Sequence, residues 1–236
     1  LAVRVRNVTA TGFEFQLDRW DYLPAAHGEE TLSYLVIEAG SHTLANGARI
    51  QAGIRSGVTY TFPFYFTGFS TTFSSTPNVF AQTVTVNDPG AVTTQIAGIS
   101  VNGFLVRLIV EEANKGTGHP AEDVAWVAIE SSSLGGLRRY IAGISDRRIG
   151  SVPLPIDFGE GGFSGSSPFL SHPRNYNDDD PASMRHISVE SSSAIVYQQE
   201  EQSQTSETGH ELDYLSFAVF ESAGDIPFVP HAPFAT

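Results

Sequence analysis

A sequence motif that occurs three times in this chain of 236 residues constrains its fold more than any other feature. In each copy a histidine stands eleven residues before a glutamate, and that glutamate ends an apolar stretch with an aromatic residue at its centre. The copies are about 90 residues apart, and similarity at a fixed period is typical of chains built from repeats. The sequence therefore predicts a repeated unit. The three pairs are His27 and Glu38, His119 and Glu130, and His210 and Glu221.

Each copy of the motif also has acidic residues on both sides of its histidine. The spacing from the first acid to the histidine is six, seven and nine residues in the three copies. A loop tolerates such variation in length, whereas a strand does not. We therefore place the candidate functional residues on loops at 18–30, 111–122 and 200–213. They are Asp21, His27 and Glu30 in the first copy, Glu112, His119 and Glu122 in the second, and Glu201, His210 and Asp213 in the third.

The residue composition and the short apolar runs predict an all-β fold. The chain has 16 Phe, 8 Tyr, 22 Gly and 13 Pro, and no long stretch shows helical periodicity. Runs such as 124–129 are short and bounded by turn residues, as strands are. We predict three tandem antiparallel β-sandwich-like repeats, with the central aromatic residue of each motif in the core. The predicted repeats are 1–54, 55–144 and 145–236, and the predicted core aromatics are Tyr34, Trp126 and Phe217.

The first predicted repeat begins without the Phe-x-x-x-Pro strand that the second one carries at Phe73. Residues 228–236 resemble residues 77–83 and are therefore candidates for the missing strand. Three interpretations stay open: the tail closes onto the first repeat of its own chain, it is donated to a neighbouring copy, or the chain was cut within a repeat. Closure and donation would both remove an open sheet edge that otherwise invites aggregation.

Charge and composition narrow the classes of partner. The formal net charge is −13, with a single lysine, Lys115, which argues against nucleic acid or an anionic membrane as a partner. There is no cysteine, so disulfides and thiol chemistry are excluded. No apolar stretch approaches the roughly 18 residues of a membrane span, and no signal peptide is visible, so any export signal is expected to have been removed. We expect an acidic protein that is secreted or held at a cell surface.

The spacing of apolar residues between 73 and 130 resembles that of H-type lectins, and the resemblance is weaker in 1–38 and poor in 163–221. It implies a six-stranded antiparallel β-sandwich that binds galactose-type sugars and assembles as trimers. Three such units in one chain would imitate that trimer with a pseudo-threefold arrangement. The insertion that carries His119 and Glu122 departs from the lectin pattern. The residues that carry the resemblance are Phe73, Pro77, Val79, Asn87, Asp88, the run 103–108 and the run 124–128.

The histidine loops admit three chemical interpretations. One imidazole and two carboxylates suit a divalent metal, zinc or manganese better than calcium. The same groups can instead pin a loop through hydrogen bonds. They can also bind sugar hydroxyls, with Trp20 or Tyr22 stacking on the sugar ring. A separate acidic turn at 177–180 suits calcium, or it is a solvated loop.

Enzyme signatures are missing from the sequence. It contains no Gly-x-Ser-x-Gly elbow, phosphate loop, dinucleotide fingerprint or His-Glu-x-x-His motif. Repeated sites suit multivalent binding, because linked weak sites gain avidity. We therefore predict a non-catalytic, lectin-like protein whose partners are glycans or polysaccharide. The alternative is a structural repeat protein of a cell surface or extracellular fibre, which assembles with copies of itself by strand exchange through its C-terminal tail.

Overall fold

The structure, a computed structural model, describes residues 1–23, 27–44, 47–61, 63–133, 140–159, 162–163, 167–175, 177–221 and 224. Within these ranges it contains sixteen strands, all paired antiparallel, and a single 3₁₀ turn at Glu112–Asn114. The predicted all-β class is therefore confirmed. The C-terminal tail at 228–236, which is central to the predicted strand exchange, lies outside the described residues.

The middle of the chain forms a sandwich of two antiparallel sheets. One sheet has the strand order β3-β4-β9-β6 and the other has the order β5-β8-β7. Alternate residues of β8 point into the space between the sheets, where Phe104, Val106 and Leu108 are fully buried beside Trp126. The strands are β3 (Gly40–Thr43), β4 (Arg49–Val58), β5 (Tyr65–Gly68), β6 (Asn78–Thr83), β7 (Val92–Ala97), β8 (Gly103–Val110) and β9 (Glu122–Ile129).

The last third of the described chain repeats this strand order. Its sheets are β10-β11-β16-β13 and β12-β15-β14, and each strand matches the one seven places earlier. The core of this second sandwich contains Phe169 and Phe217. The predicted core positions of Trp126 and Phe217 are thus confirmed. The strands are β10 (Ser132–Ser133), β11 (Tyr140–Ile144), β12 (Leu154–Asp157), β13 (Phe169–Pro173), β14 (Ala182–Val189), β15 (Ser193–Glu200) and β16 (Leu215–Phe220).

The N-terminal segment, residues 1–23 and 27–38 of the described chain, begins with a hairpin of β1 (Ala2–Thr9) and β2 (Gly12–Asp18), which form a two-stranded sheet. Its apolar side is open: Phe15 is 56% exposed and Tyr34 is 69% exposed. The prediction that Tyr34 is a core residue is therefore wrong. The physical reason is that no second sheet covers this side among the described residues; the ring packs edge-on against Phe13, with centroids 5.4 Å apart.

Strand pairing divides the chain at different places from the predicted repeats. The predicted boundary after residue 54 falls inside β4, and the one after residue 144 falls at the end of β11, which pairs with β16. The sheets instead group residues 40–129 and residues 132–220. We use these groups below as the first and second sandwich. The division of the chain into three repeats stays a prediction.

Three ion pairs connect the N-terminal segment, the first sandwich and the second sandwich in a cycle. Arg4 of the N-terminal segment pairs with Glu122 of the first sandwich at 2.7 Å. Arg107 of the first sandwich pairs with Asp179 of the second, and Arg185 of the second pairs with Glu30 of the N-terminal segment at 2.6 Å. A shared apolar cluster also joins the outer faces of the two four-stranded sheets. This cyclic order of contacts is compatible with the pseudo-threefold arrangement.

Candidate functional site

The first histidine loop does not assemble its predicted triad. His27 Nδ1 lies 3.3 Å from Glu30 Oε1, and that carboxylate also accepts a hydrogen bond from Arg185. Asp21 is turned elsewhere, because its Oδ2 accepts a hydrogen bond from Asn114 of the first sandwich at 3.1 Å. This copy therefore joins segments as a loop pin does, and its third predicted ligand belongs to a different site.

In the second loop the carboxylate of Glu122 already accepts several hydrogen bonds. Glu122 is buried and accepts hydrogen bonds from Arg4, from the Thr85 hydroxyl and from the Asn87 backbone N–H. His119 Nε2 lies 3.9 Å away from this carboxylate. The Glu112 carboxylate instead lies 3.5 Å from Lys115 Nζ, and the Glu112 backbone N–H donates to Glu201 of the second sandwich. These contacts fix the loop at 85–90 and do not form a predicted metal triad.

The third loop does bring ligand-type groups together, although two of them differ from the predicted set. His210 Nδ1 lies 2.7 Å from Glu200 Oε2 and 3.7 Å from Asp178 Oδ2. Glu201 faces away and accepts the backbone N–H of Glu112. Among the residues that the structure describes, Asp178, Glu200 and His210 are the one set of three such residues with ligand atoms all within 4.8 Å of one another. We call these three residues the acidic cluster.

Burial governs the ionisation of the acidic cluster and its neighbour Asp213. Burial raises the pKa of Asp213 to about 6, and it also raises the pKa of Glu200 against the opposing effect of the His210 hydrogen bond. Burial lowers the pKa of His210, but the hydrogen bond and charge of Glu200 leave it above its ordinary value. The cluster therefore retains protons at a pH at which exposed carboxylates have lost theirs.

A cleft lies where the N-terminal segment meets the first sandwich. Its volume is about 400 Å³. Asp21 reaches it from the N-terminal segment, and Asn114 and His119 reach it from the loop after β8. Gly90 lies on its wall, where a Cβ atom would come within 3.0 Å of Asp88 Oδ1. The residues that line the cleft thus include carboxylate, amide and imidazole side chains. Its lining is Asp21, Asp88, Pro89, Gly90, Ala91, Val110, Asn114, Thr117, Gly118 and His119.

The aromatic residues that the sequence offered for sugar stacking do not line the cleft as described. Trp20 is only 2% exposed, so it has no free ring face. Tyr22 is half-buried, and its backbone N–H donates to Glu111 Oε1 at 3.3 Å. Tyr22 thus helps to seat the N-terminal segment on the first sandwich.

The cleft and the acidic cluster occupy matching places in the two sandwiches. The turns before β8 and β15 close with the same backbone hydrogen bond, from Ser100 to Gly103 and from Glu190 to Ser193. Seven residues after Gly103 the first sandwich has Val110, and seven residues after Ser193 the second sandwich has Glu200, so these two residues occupy equivalent positions. The same offset of 90 residues matches Asp88 with Asp178, and an offset of 91 residues, one more, matches His119 with His210 and Glu122 with Asp213.

Comparison with known proteins gives one informative similarity. A scan against protein-family models finds no match, and no solved structure matches. The chain is 30% identical over 161 residues to halomucin of Haloquadratum walsbyi. The aligned region covers 66% of this chain and 2% of halomucin. The chain therefore corresponds to a small part of that protein's length.

No helix in the part of the chain that the structure describes is long and apolar enough to cross a membrane.

Proposed function

We propose that this chain is a non-catalytic carbohydrate-binding module of an extracellular or cell-surface protein, and that the cleft binds the sugar. The observation that carries the proposal is the convergence of Asp21, Asn114 and His119, from two segments, on one cavity of about 400 Å³. Clefts of this size bind small ligands and fix their orientation with a few polar groups. Carboxylate and amide groups can accept from and donate to adjacent sugar hydroxyls.

The electrostatics of the cleft favour a neutral sugar. Asp21 and Asp88 both contribute carboxylates to the lining, and the whole chain carries a formal charge of −13. Sulfated or uronic acid residues would be repelled by this field. We therefore expect neutral hexoses, including the galactose-type sugars that the lectin resemblance implies, to bind better than acidic ones.

The similarity to halomucin supports the location in this proposal. The 161 residues of this chain that align with halomucin resemble part of a cell-surface protein. This similarity suits a module that is exposed outside the cell. The acidic composition, with one lysine, agrees with a soluble surface module. The fibre alternative depends on strand exchange by residues 228–236, which lie outside the described residues, so the structure gives it no support.

A glycan array tests this function directly. The intact chain should bind neutral glycans, and Asp21→Asn should weaken that binding at least several-fold, because the substitution removes a carboxylate acceptor while keeping the shape of the side chain. Asp146→Asn is the matched control, since Asp146 is exposed, lies outside the cleft lining and pairs with its neighbour Arg147 at 3.6 Å. No binding to any glycan, or equal binding by wild type and Asp21→Asn, would contradict the proposal.

A second measurement tests the non-catalytic part of the proposal. Incubation of the chain with a glycan that it binds should release no new reducing ends. Sustained hydrolysis that Asp21→Asn abolishes would show that the cleft is an active site and would overturn this part of the proposal.

A further inference from the structure

The acidic cluster has the make-up of a cation site in a place that the cleft does not use. Glu200 ends β15, His210 lies on the loop before β16, and Asp178 lies on the turn between β13 and β14. The side chains of Glu200 and His210 are 4% and 6% exposed, and that of Asp178 is 16% exposed. Three elements of the second sandwich therefore direct two oxygen ligands and one nitrogen ligand to one partly enclosed point.

One oxygen atom in the cluster lacks a partner. Glu200 Oε2 contacts His210, but Glu200 Oε1 is buried and has no hydrogen-bond partner among the described residues. A buried carboxylate oxygen without a partner carries a large desolvation penalty. A bound cation would remove that penalty, because it interacts directly with the carboxylate. This atom is a second observation that points to a ligand, in addition to the set of acidic residues.

We propose that Asp178, Glu200 and His210 bind one divalent cation of the zinc class. One imidazole and two carboxylates form a ligand set that zinc accepts, with roughly 2 Å from the metal to each ligand atom. Ligands around a tetrahedral ion then lie roughly 3.3 Å apart. The His210 distances of 2.7 Å to Glu200 and 3.7 Å to Asp178 bracket that spacing, and all three ligand atoms lie within 4.8 Å of one another, which is close enough to share one ion after side-chain adjustment. Calcium, which prefers six to eight oxygen ligands, suits this set less well.

Neighbouring groups hold the proposed ligands in place. Asp178 accepts backbone N–H hydrogen bonds from Asp180 and Glu211, both at 3.1 Å. Asp213 is buried beside the histidine and accepts a hydrogen bond from the Asn177 amide. Supporting hydrogen bonds of this kind orient metal ligands and tune their affinity. The surroundings thus fix the acidic cluster before any ion binds.

The competing account is a pin without an ion, in which protonated His210 bridges the two carboxylates. A pin gives stability that is independent of added metal, whereas a cation site gives stability that rises with the cation concentration. The two accounts therefore differ in a quantity that can be measured on the intact chain.

The test is calorimetric titration and thermal unfolding of the full chain with zinc, manganese and calcium after treatment with chelator. We expect one zinc ion per chain and an unfolding temperature that rises with zinc. Glu200→Gln should lower zinc affinity roughly tenfold or more, because it replaces a charged ligand by a weak one. His27→Ala is the matched control, because His27 also contacts a glutamate but lies outside the cluster, and it should bind zinc as the wild type does.

A second variant keeps the test decisive if Glu200→Gln does not fold. Asp178→Asn changes a less buried residue and should also lower zinc affinity roughly tenfold or more. No zinc-dependent rise in the wild type's unfolding temperature would overturn the proposal, as would equal zinc affinity in wild type and folded ligand variants. These readouts need no sugar, so their failure is distinct from failure of the glycan array.

Discussion

The cleft and the acidic cluster are built on the same strands of two sandwiches, yet they offer different chemistry. Each has an aspartate on the turn before its β7 or β14 strand and a histidine on the loop before its last strand. They differ most at the end of the strand between those two elements, where the cleft has Val110 and the cluster has Glu200. The side chain at this place is thus one difference between the cleft and the proposed cation site.

The buried acids behind the two places also differ in their partners. Glu122 behind the cleft is paired with Arg4 of the N-terminal segment. Asp213 behind the cluster accepts a hydrogen bond from Asn177, and burial raises its pKa to about 6. The Arg4–Glu122 pair therefore joins two segments, whereas burial of Asp213 favours its protonated form.

The largest expected effect comes from breaking the ion pair behind the cleft. Arg4→Met should lower the free energy of unfolding by about 3 to 5 kcal/mol, because Glu122 would be left buried without its cationic partner. Urea unfolding measures the loss. The control is Arg6→Met, whose exposed pair with Glu14 should be worth at most about 1 kcal/mol. Equal losses in the free energy of unfolding for the two variants would show that burial does not increase the contribution of the Arg4 pair to stability.

A single substitution should give the cleft the ligand set of the acidic cluster. Val110→Glu places a carboxylate beside Asp88 and His119, and without a cation it should destabilise the chain by roughly 1 to 3 kcal/mol through desolvation. Zinc should reverse part of that loss and add a second ion per chain. Thermal unfolding with and without zinc is the measurement. A loss that zinc does not change would mean that the end of the strand does not decide between the two chemistries.

The pH dependence of stability should distinguish the two buried acids. Asp213 has a folded pKa of about 6 against an ordinary 3.8, so the folded state binds more protons between those values. Its contribution to stability is therefore lost as pH rises from about 4 to 6. Asp213→Asn should remove this decline, a difference on the order of 2 kcal/mol from the wild type across that window. Urea unfolding at several pH values in chelator measures it, and parallel wild-type and variant curves would contradict it.

The smallest expected effect concerns the wall of the cleft. Gly90→Ala would place a Cβ atom 3.0 Å from Asp88 Oδ1 and 3.8 Å from His119 Cδ2. We expect a change in stability of about 1 kcal/mol or less, with a several-fold loss of sugar affinity because the added methyl group occupies part of the cleft. Glycan titration beside urea unfolding separates the two effects. Unchanged sugar affinity would place the binding surface elsewhere.

Much of the fold could be predicted from the sequence, because strand periodicity and turn residues are local signals. The buried positions of Trp126 and Phe217 followed from their places in apolar runs. Tyr34 has the same local pattern, but its burial depends on a covering sheet, which local sequence does not report. Local pattern therefore predicts strands better than it predicts which of their faces are covered.

The candidate sites were harder to predict, since they depend on register and on distant segments. The sequence pointed to Glu201, but adjacent residues at a strand end face opposite ways, and Glu200 is the one that meets His210. Asp178 lies 32 residues before that histidine, so no local spacing joins them. The cleft combines Asp21 with residues of the first sandwich, and only the packing of segments brings them together.

The cycle of contacts through Arg4, Arg107 and Arg185 has a consequence for how the molecule responds to damage. In an open row of segments, loss of one contact frees an end. In a closed cycle, the two segments on either side of a broken contact stay tethered through the third, which keeps them at a high effective concentration for each other. A single broken ion pair can therefore re-form, and the cleft between the N-terminal segment and the first sandwich keeps both of its walls close together.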